Sequence, residues 1–79
     1  MYFVYRLQSL IDSSKVYVGF TADIQKRFEA HNNGQNMHTS KYKPWKIINY
    51  TAFENEEKAR DFEKYLKSGS GRAFSKKHF

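Results

Sequence analysis

The sequence of 79 residues has no cysteine and only one proline. Without cysteine there is neither a disulfide nor a thiolate zinc site, so an oxidising compartment is not required. No segment approaches the roughly 20 apolar residues that span a membrane. Arg6 and Gln8 interrupt the apolar N-terminal stretch, and neither a basic leader nor a small-residue cleavage site accompanies it. We therefore expect a soluble, cytoplasmic protein with no membrane partner.

Aromatic residues are abundant for so short a chain, with six Tyr, seven Phe and one Trp. A chain of this length buries only about 60% of its unfolded surface. Each aromatic side chain buries a large area, so a small core can be stable without disulfides or a structural metal ion. The sequence predicts one domain over residues 1–79.

Positive charge is concentrated in the second half of the chain, and the formal net charge is +6. Residues 1–40 carry four basic and three acidic side chains, whereas residues 41–79 carry ten and five. A basic surface attracts polyanions and speeds encounter with nucleic acid. The same bias is also typical of proteins whose charge serves solubility alone.

Two segments near the N-terminus have the pattern of a β-hairpin. Residues 2–10 alternate with a period of two and are rich in aromatic and branched side chains, which predicts a strand. Asp12 to Lys15 favour a turn, and residues 16–20, VYVGF, predict a second strand antiparallel to the first. Gly19 within it indicates a bend or a close backbone approach.

Two helices and a third strand are predicted further along. Thr21 or Asp23 can cap a helix that runs to about Asn32. WKIINYTAF, residues 45–53, predicts the third strand. Asn55, followed by two glutamates that favour the positive end of a helix dipole, predicts a second helix as far as about Lys67.

The remaining segments are predicted to be irregular. The polar stretch 35–43 has too little apolar content to enter the core, and SGSG, residues 68–71, should end the second helix. The basic tail 72–79 is expected to add a short last helical turn packed through Phe74. The predicted fold is α/β, with a three-stranded antiparallel sheet flanked by helices in the order ββαβα plus a short C-terminal helix.

An arginine and a histidine share the apolar stripe of the first helix. Ile24 and Phe28 are its predicted core positions. Arg27 lies three residues after Ile24, and His31 lies four after Arg27, so both fall on or beside that stripe. The structural explanation is that Arg27 borders the core with its head in water.

The second helix places a carboxylate in the same kind of position. Ala59, Phe62 and Leu66 are the predicted core residues, and Glu63 falls among them at helical spacing. A carboxylate in an apolar stripe is costly unless it meets a cation, a donor or a metal. A structural ion pair, for instance with Arg27, and a metal ligand are equally compatible with the pattern.

Tyr5 and Tyr17 lie on the two hairpin strands, and each phenol needs a hydrogen bond or water. Either alone would pass as a core residue. Together with an arginine, a histidine and a glutamate they form a set suited to phosphodiester cleavage. Arginine neutralises the phosphate, a phenol or imidazole handles a proton, and a carboxylate holds a divalent cation.

Basic residues of the central segment are candidate nucleic-acid contacts. KYKPWK interleaves Lys41, Lys43 and Lys46 with aromatic side chains, an arrangement that can hold a phosphate backbone and stack on a base. A solvated loop leading into a strand would have the same composition. Lys26 on the first helix is a further candidate contact.

The ordered set of motifs resembles the GIY-YIG nuclease family, in particular its small stand-alone bacterial members. Phe3-Val4-Tyr5 resembles the first strand motif and Tyr17-Val18-Gly19 the second. The helix motif is similar to residues 23–27 with His31 a turn later, and the family's glutamate falls on Glu63 within ARDFEKYLKSG. The resemblance covers essentially the whole chain. Phe20 stands where some members carry a lysine near the active site.

This resemblance implies a metal-dependent endonuclease that acts on DNA. Glu63 would bind one Mg²⁺ or Mn²⁺ beside the scissile phosphate, and Arg27 would stabilise the charge developing there. Tyr17 would position or deprotonate the attacking water, with Tyr5 beside it. His31 would orient the water or the phosphate.

Two other functions are compatible with the same residues. A nucleic-acid-binding module with weak or lost catalysis would need only the basic side chains, and a protein-interaction domain would use the aromatics as a contact surface. Branched or otherwise structured DNA, nicked duplex, single strands and RNA all stay open as substrates. A recruiting protein partner and the oligomeric state are equally open.

Overall fold

The computed structural model describes residues 1–79, which form three strands and four helices. The elements in chain order are β1 (Tyr2–Ser9), β2 (Val16–Thr21), α1 (Ile24–Asn32), α2 (Met37–Ser40), β3 (Trp45–Phe53), α3 (Glu56–Leu66) and α4 (Gly69–His78). The predicted α/β class, with a three-stranded antiparallel sheet flanked by helices, is confirmed. None of the four helices combines the length and apolar character needed to cross a bilayer.

The sheet has the strand order β2-β1-β3, so β1 is central and β2 is an edge strand. β1 pairs antiparallel with both neighbours, which confirms the predicted hairpin. In the hairpin register Tyr5 lies opposite Gly19, and Leu7 lies opposite Tyr17. An irregularity in the pairing with β3 falls between Arg6 and Leu7.

Alternate residues of β1 belong to two separate core clusters, as the period of a strand requires. Val4 packs with Ala59 and Leu66, so α3 and α4 cover that face of the sheet. The other face is the cluster of Tyr5, Leu7 and Trp45, against which α1 packs through its predicted core residues. The sheet is therefore a middle layer between two helical layers.

The predicted helix starts are confirmed by their capping bonds. The Asp23 side chain accepts a hydrogen bond from the backbone N–H of Lys26 at 3.1 Å. Asn55 does the same for the N–H of Lys58 at 2.9 Å. Each cap satisfies a donor that the first turn leaves unpaired, which fixes where α1 and α3 begin.

The prediction that residues 35–43 stay outside the core is wrong. They include α2, and Thr39 on that helix is only 1% exposed. Tyr42 packs against the cluster around Trp45. Long-range hydrogen bonds to Thr39 hold this polar segment in the interior, although it has few apolar side chains to bury.

The prediction of a single C-terminal helical turn is also wrong in length, because α4 extends over ten residues and begins inside SGSG. The Ser68 hydroxyl accepts from the N–H of Gly71 at 3.1 Å, so the serine that follows α3 caps α4. A side chain at Gly71 would collide with the backbone of Tyr65 and Leu66, so glycine permits the close turn. Phe74 packs on the Val4 cluster as predicted.

Candidate active site

Tyr5 is the central side chain of the site and is 1% exposed. It extends from the middle of β1 across Gly19 of the neighbouring strand. A Cβ at Gly19 would collide with the phenol oxygen and Cζ of Tyr5. Gly19, where the sequence predicted a bend or a close backbone approach, therefore makes room for the Tyr5 ring.

A chain of hydrogen bonds leads from Tyr5 into the interior. The Tyr5 hydroxyl lies 2.8 Å from Nε2 of His31, and Nδ1 of His31 lies 2.8 Å from the Thr39 hydroxyl. The Thr39 hydroxyl donates to the carbonyl of Asn36 at 3.5 Å. Since that carbonyl can only accept, Thr39 accepts from Nδ1–H of His31. Nε2 is then free to accept the Tyr5 proton.

His31 is 0% exposed and held from both ends. The backbone carbonyl of Thr39 accepts from the indole N–H of Trp45 at 2.8 Å, which fixes the residue that His31 contacts. The next residue of α1, Asn32, exchanges two hydrogen bonds with the backbone of Trp45, at 2.6 and 3.1 Å. The end of α1 and the start of β3 therefore set the position of the imidazole together.

Tyr17 packs beside this pair and is half-buried. Its ring centroid lies 4.9 Å from that of His31 and 6.3 Å from that of Tyr5. Tyr17 also lines a surface cavity of about 610 Å³. It is therefore the phenol of the pair that solvent and a ligand can reach.

Arg27 is exposed on α1, one turn before His31, and takes part in neither ion pair of the structure. Polar interaction with the Tyr5 phenol is the largest cause that raises the pKa of the Arg27 guanidinium, and Tyr17 contributes. Burial is the main cause that lowers the pKa of His31, and the Arg27 charge lowers it further. Arg27 is thus a solvent-facing cation coupled to the buried pair.

Burial raises the pKa of Tyr5 to about 12, against the lowering effect of Arg27. The nearby Tyr17 and Glu63 raise the pKa of Tyr5 as well. At neutral pH the phenol therefore stays protonated and donates a hydrogen bond to His31. Glu63 on α3 therefore lies near enough to Tyr5 to act on it electrostatically.

Glu63 does not pair with Arg27, so the ion pair that the sequence suggested between these two residues is not formed. Its Oε2 accepts from Nζ of Lys67 at 3.0 Å, one turn along α3, and its side chain is 22% exposed. Arg60, one turn earlier, stacks over the Phe20 ring at 4.2 Å. This contact with β2 places the Glu63 side of α3 along the sheet edge that carries Tyr17 and Gly19.

The donor set for a metal ion is sparse. No group of three or more His, Cys, Asp or Glu side chains converges anywhere in the chain. Glu63 is the acidic residue that the structure couples to Tyr5. Mg²⁺ keeps several waters and is commonly held by one or two carboxylates plus substrate phosphates. The single carboxylate fits that mode of binding and does not fit a protein cage of several ligands.

The predicted nucleic-acid contacts Lys26, Lys41, Lys43 and Lys46 are all exposed. Lys26 lines a cavity of about 270 Å³ together with Arg27. Lys41 lies 5.6 Å from the Tyr42 ring, and Lys43 lies against Gly34. None of these three lysines of the KYKPWK segment lines a cavity with Tyr17.

Two residues of this region, Lys67 and Thr39, were not predicted from the sequence. Lys67 contacts Glu63 and lines the Tyr17 cavity, and the spacing of four residues on a predicted helix was a signal for that contact. Thr39 gave no such signal, since its partner His31 comes from a different helix.

Comparisons with known proteins agree with this architecture. A family model described as the GIY-YIG catalytic domain matches residues 1–77. The chain is also similar to the UPF0213 protein CPE1444 of Clostridium perfringens (strain 13 / Type A). The two are 37% identical over 68 residues, which is 85% of this chain and 71% of that relative.

Proposed function

The chain belongs to the GIY-YIG catalytic-domain family, and from this membership we propose that residues 1–79 form one domain that hydrolyses DNA phosphodiester bonds as a divalent-metal-dependent endonuclease. Members of the family are generally endonucleases, and the chain has their nuclease-type fold. The observation that carries the proposal is the hydrogen bond between Tyr5 and His31, with the Tyr17 ring packed beside it.

Arg27 is the residue that meets the phosphate. It is exposed, it has no carboxylate partner, and it is coupled to both tyrosines. An uncompensated guanidinium at this point can hold phosphate oxygens through paired hydrogen bonds and stabilise the charge that develops on them during attack.

Tyr17 handles the attacking water. Its phenol is the accessible one, and it stands next to the protonated Tyr5 and the neutral His31. A hydrogen bond from water to the Tyr17 oxygen would aim the water and draw its proton toward the phenol. Both nitrogens of the buried His31 are already bonded. His31 therefore acts through Tyr5 as a positioning residue and does not touch water or phosphate itself.

Glu63 is the residue that would hold Mg²⁺ or Mn²⁺. GIY-YIG nucleases generally use divalent metals. Such an ion supplies Lewis-acid stabilisation of a phosphoryl oxygen and of the leaving oxygen. Before an ion binds, Lys67 neutralises the Glu63 carboxylate. The exposed ammonium of Lys67 can move away at small cost, because an ion pair of this spacing on a helix surface is worth only about 0.3–0.5 kcal/mol.

The experiment that tests this function is a cleavage assay on labelled duplex, single-stranded and branched DNA in magnesium, manganese or chelator. Wild type is compared with Glu63→Ala and with Glu56→Ala. Glu56 is a matched control, because it also lies on α3 and forms an ion pair with the basic side chain four residues further along, Arg60. Metal-dependent cleavage that is lost only in Glu63→Ala supports the nuclease.

The binding module with lost catalysis is the alternative that the same assay separates. Phe20 stands at the position where some family members carry a lysine, and Arg60 covers its ring. If wild type binds these DNAs but never cuts them in either metal, the chain is a nucleic-acid-binding module and the proposed hydrolysis is wrong. Absence of both binding and cleavage would indicate a protein-interaction domain.

A further inference from the structure

The largest cavity of the protein, about 610 Å³, lies between the hairpin, the end of α3 and α4. Its lining contains four cationic side chains and no carboxylate: Arg6, Lys67, Arg72 and Lys76. We call the cavity with these four residues the basic groove. None of them was among the lysines that the sequence suggested as nucleic-acid contacts.

Arg6 is the least solvated cation of the basic groove. It lies half-buried on β1, where its Nη1 donates to Oδ1 of Asn49 at 2.9 Å and its guanidinium lies 5.4 Å from the Phe79 ring. Burial alone lowers the pKa of Arg6, and no ion pair compensates it. Withdrawing a charge from water without a counter-charge costs free energy. A bound anion would recover that cost.

Arg72 and Lys76 add two exposed cations on one side of α4. They are four residues apart, so they are neighbours on the helix surface. Like charges at this spacing destabilise a helix by a few tenths of a kcal/mol. No acidic residue occurs anywhere in α4 to offset them. An anionic ligand between them would relieve this repulsion.

The basic groove adjoins the candidate active site at the sheet edge formed by β2. Tyr17 forms part of its lining, and Lys67 in the same lining is ion-paired with Glu63. A phosphate chain lying along Arg6, Arg72 and Lys76 would therefore reach the edge strand β2 and the Lys67–Glu63 pair, and from there could pass around the sheet edge to Tyr17. The cavity is also much larger than one phosphate ion, which favours an extended polyanion.

We propose that the basic groove binds successive backbone phosphates of the nucleic-acid strand beside the scissile bond. The proposal rests on the proposed function, because it assigns the groove to the substrate of that same site. Binding would be dominated by phosphate contacts and would carry little sequence preference. Arg6 would act as the fixed contact, since Asn49 orients it, and the α4 pair as adjustable ones.

The test is binding of a fluorescein-labelled single-stranded oligonucleotide in chelator, followed by anisotropy over a series of salt concentrations. Wild type is compared with the double variant Arg72→Gln/Lys76→Gln. The matched control is Lys58→Gln/Lys64→Gln, which removes the same charge from exposed positions on α3 that do not line the groove. Melting temperatures of all three proteins report on folding.

We expect the groove variant to reduce the slope of log K against log salt by about 1.4, from about 0.7 for each lost phosphate contact to a single strand. The control should keep the wild-type slope. Equal slopes for the two variants would overturn the groove, even if wild type cleaves DNA and the proposed function stands. Competition by millimolar inorganic phosphate as strong as that by unlabelled oligonucleotide would also overturn it, in favour of a small-anion site. If wild type neither binds nor cleaves, the proposed function itself fails.

Discussion

The Tyr5 hydroxyl and Nε2 of His31 lie 2.8 Å apart in the interior of the protein, although 26 residues separate them along the chain. His31 passes the contact on to Thr39, whose backbone the Trp45 indole fixes. Four elements therefore determine the orientation of one phenol.

Replacement of Thr39 by valine should destabilise the fold and lower activity. Valine has a similar shape but cannot accept from Nδ1–H of His31, so a buried donor loses its partner. We expect a loss of about 1–3 kcal/mol in the free energy of unfolding. Thr39→Ser keeps the hydroxyl and should restore most of the stability and the cleavage rate. Urea unfolding of both variants measures this, and equal losses for serine and valine would contradict the hydrogen-bond assignment.

Stability should fall in mild acid because of His31. Burial lowers the pKa of His31 below its ordinary value of 6.5. As pH falls below 6.5 the unfolded chain takes up a proton that the folded protein refuses, so the free energy of unfolding decreases. One proton limits the slope to about 1.4 kcal/mol per pH unit. Urea unfolding between about pH 7.5 and 5.5 should show this slope in wild type and a flatter profile in His31→Gln. Parallel profiles would assign the effect to other groups.

Gly19→Ala should damage the site by displacing Tyr5. The new methyl group would occupy the space of the Tyr5 phenol, and the paired strands leave the backbone little freedom to move. Overpacking of this kind costs about 1–3 kcal/mol. In a Tyr5→Leu background the clash is absent, so the added alanine should cost much less there. A double-mutant cycle by thermal melting gives the coupling, and a coupling near zero would mean that the strain lies elsewhere.

Much of this architecture could be predicted from local patterns. The period of two in β1 and the caps Asp23 and Asn55 gave the strands and the two main helices, because those signals act within a few residues. The burial of Thr39 could not be predicted in this way. Its polar neighbours resemble a loop, and the bonds that hold it come from His31 and Trp45 on other elements.

The start of α4 was hidden for a different reason. Two glycines and two serines in a row have low intrinsic helix propensity. The structure uses Ser68 as a cap and Gly71 as a point of close approach to Tyr65, so tertiary packing outweighs propensity. The basic groove could not be predicted either, since Arg6 and Lys76 come to line one cavity only after the sheet and α4 have packed together.

Arg27→Ala should abolish cleavage while leaving the fold nearly unchanged. The side chain is exposed and forms no ion pair, so we expect a stability change within about 0.5 kcal/mol. Loss of a cation aimed at developing charge typically costs about 10²–10³-fold in rate. The exposed Lys58→Ala on α3, which removes a cation that lines none of the cavities, is the control and should cleave at a rate near wild type. A large drop in melting temperature for Arg27→Ala would instead make Arg27 a structural residue at the border of the core.

Glu63→Gln should remove metal binding and keep the fold. Glutamine retains the shape of the side chain but offers a divalent cation no negative charge, and the lost pair with the exposed Lys67 is worth only about 0.3–0.5 kcal/mol. Calorimetric titration with Mn²⁺ should give heat of binding in wild type and none in the variant. Glu56→Gln removes the equivalent ion pair at the start of α3 and should titrate like wild type. If Glu63→Gln binds Mn²⁺ as wild type does, the ion is held elsewhere, and the role of Glu63 reduces to its pairing with Lys67.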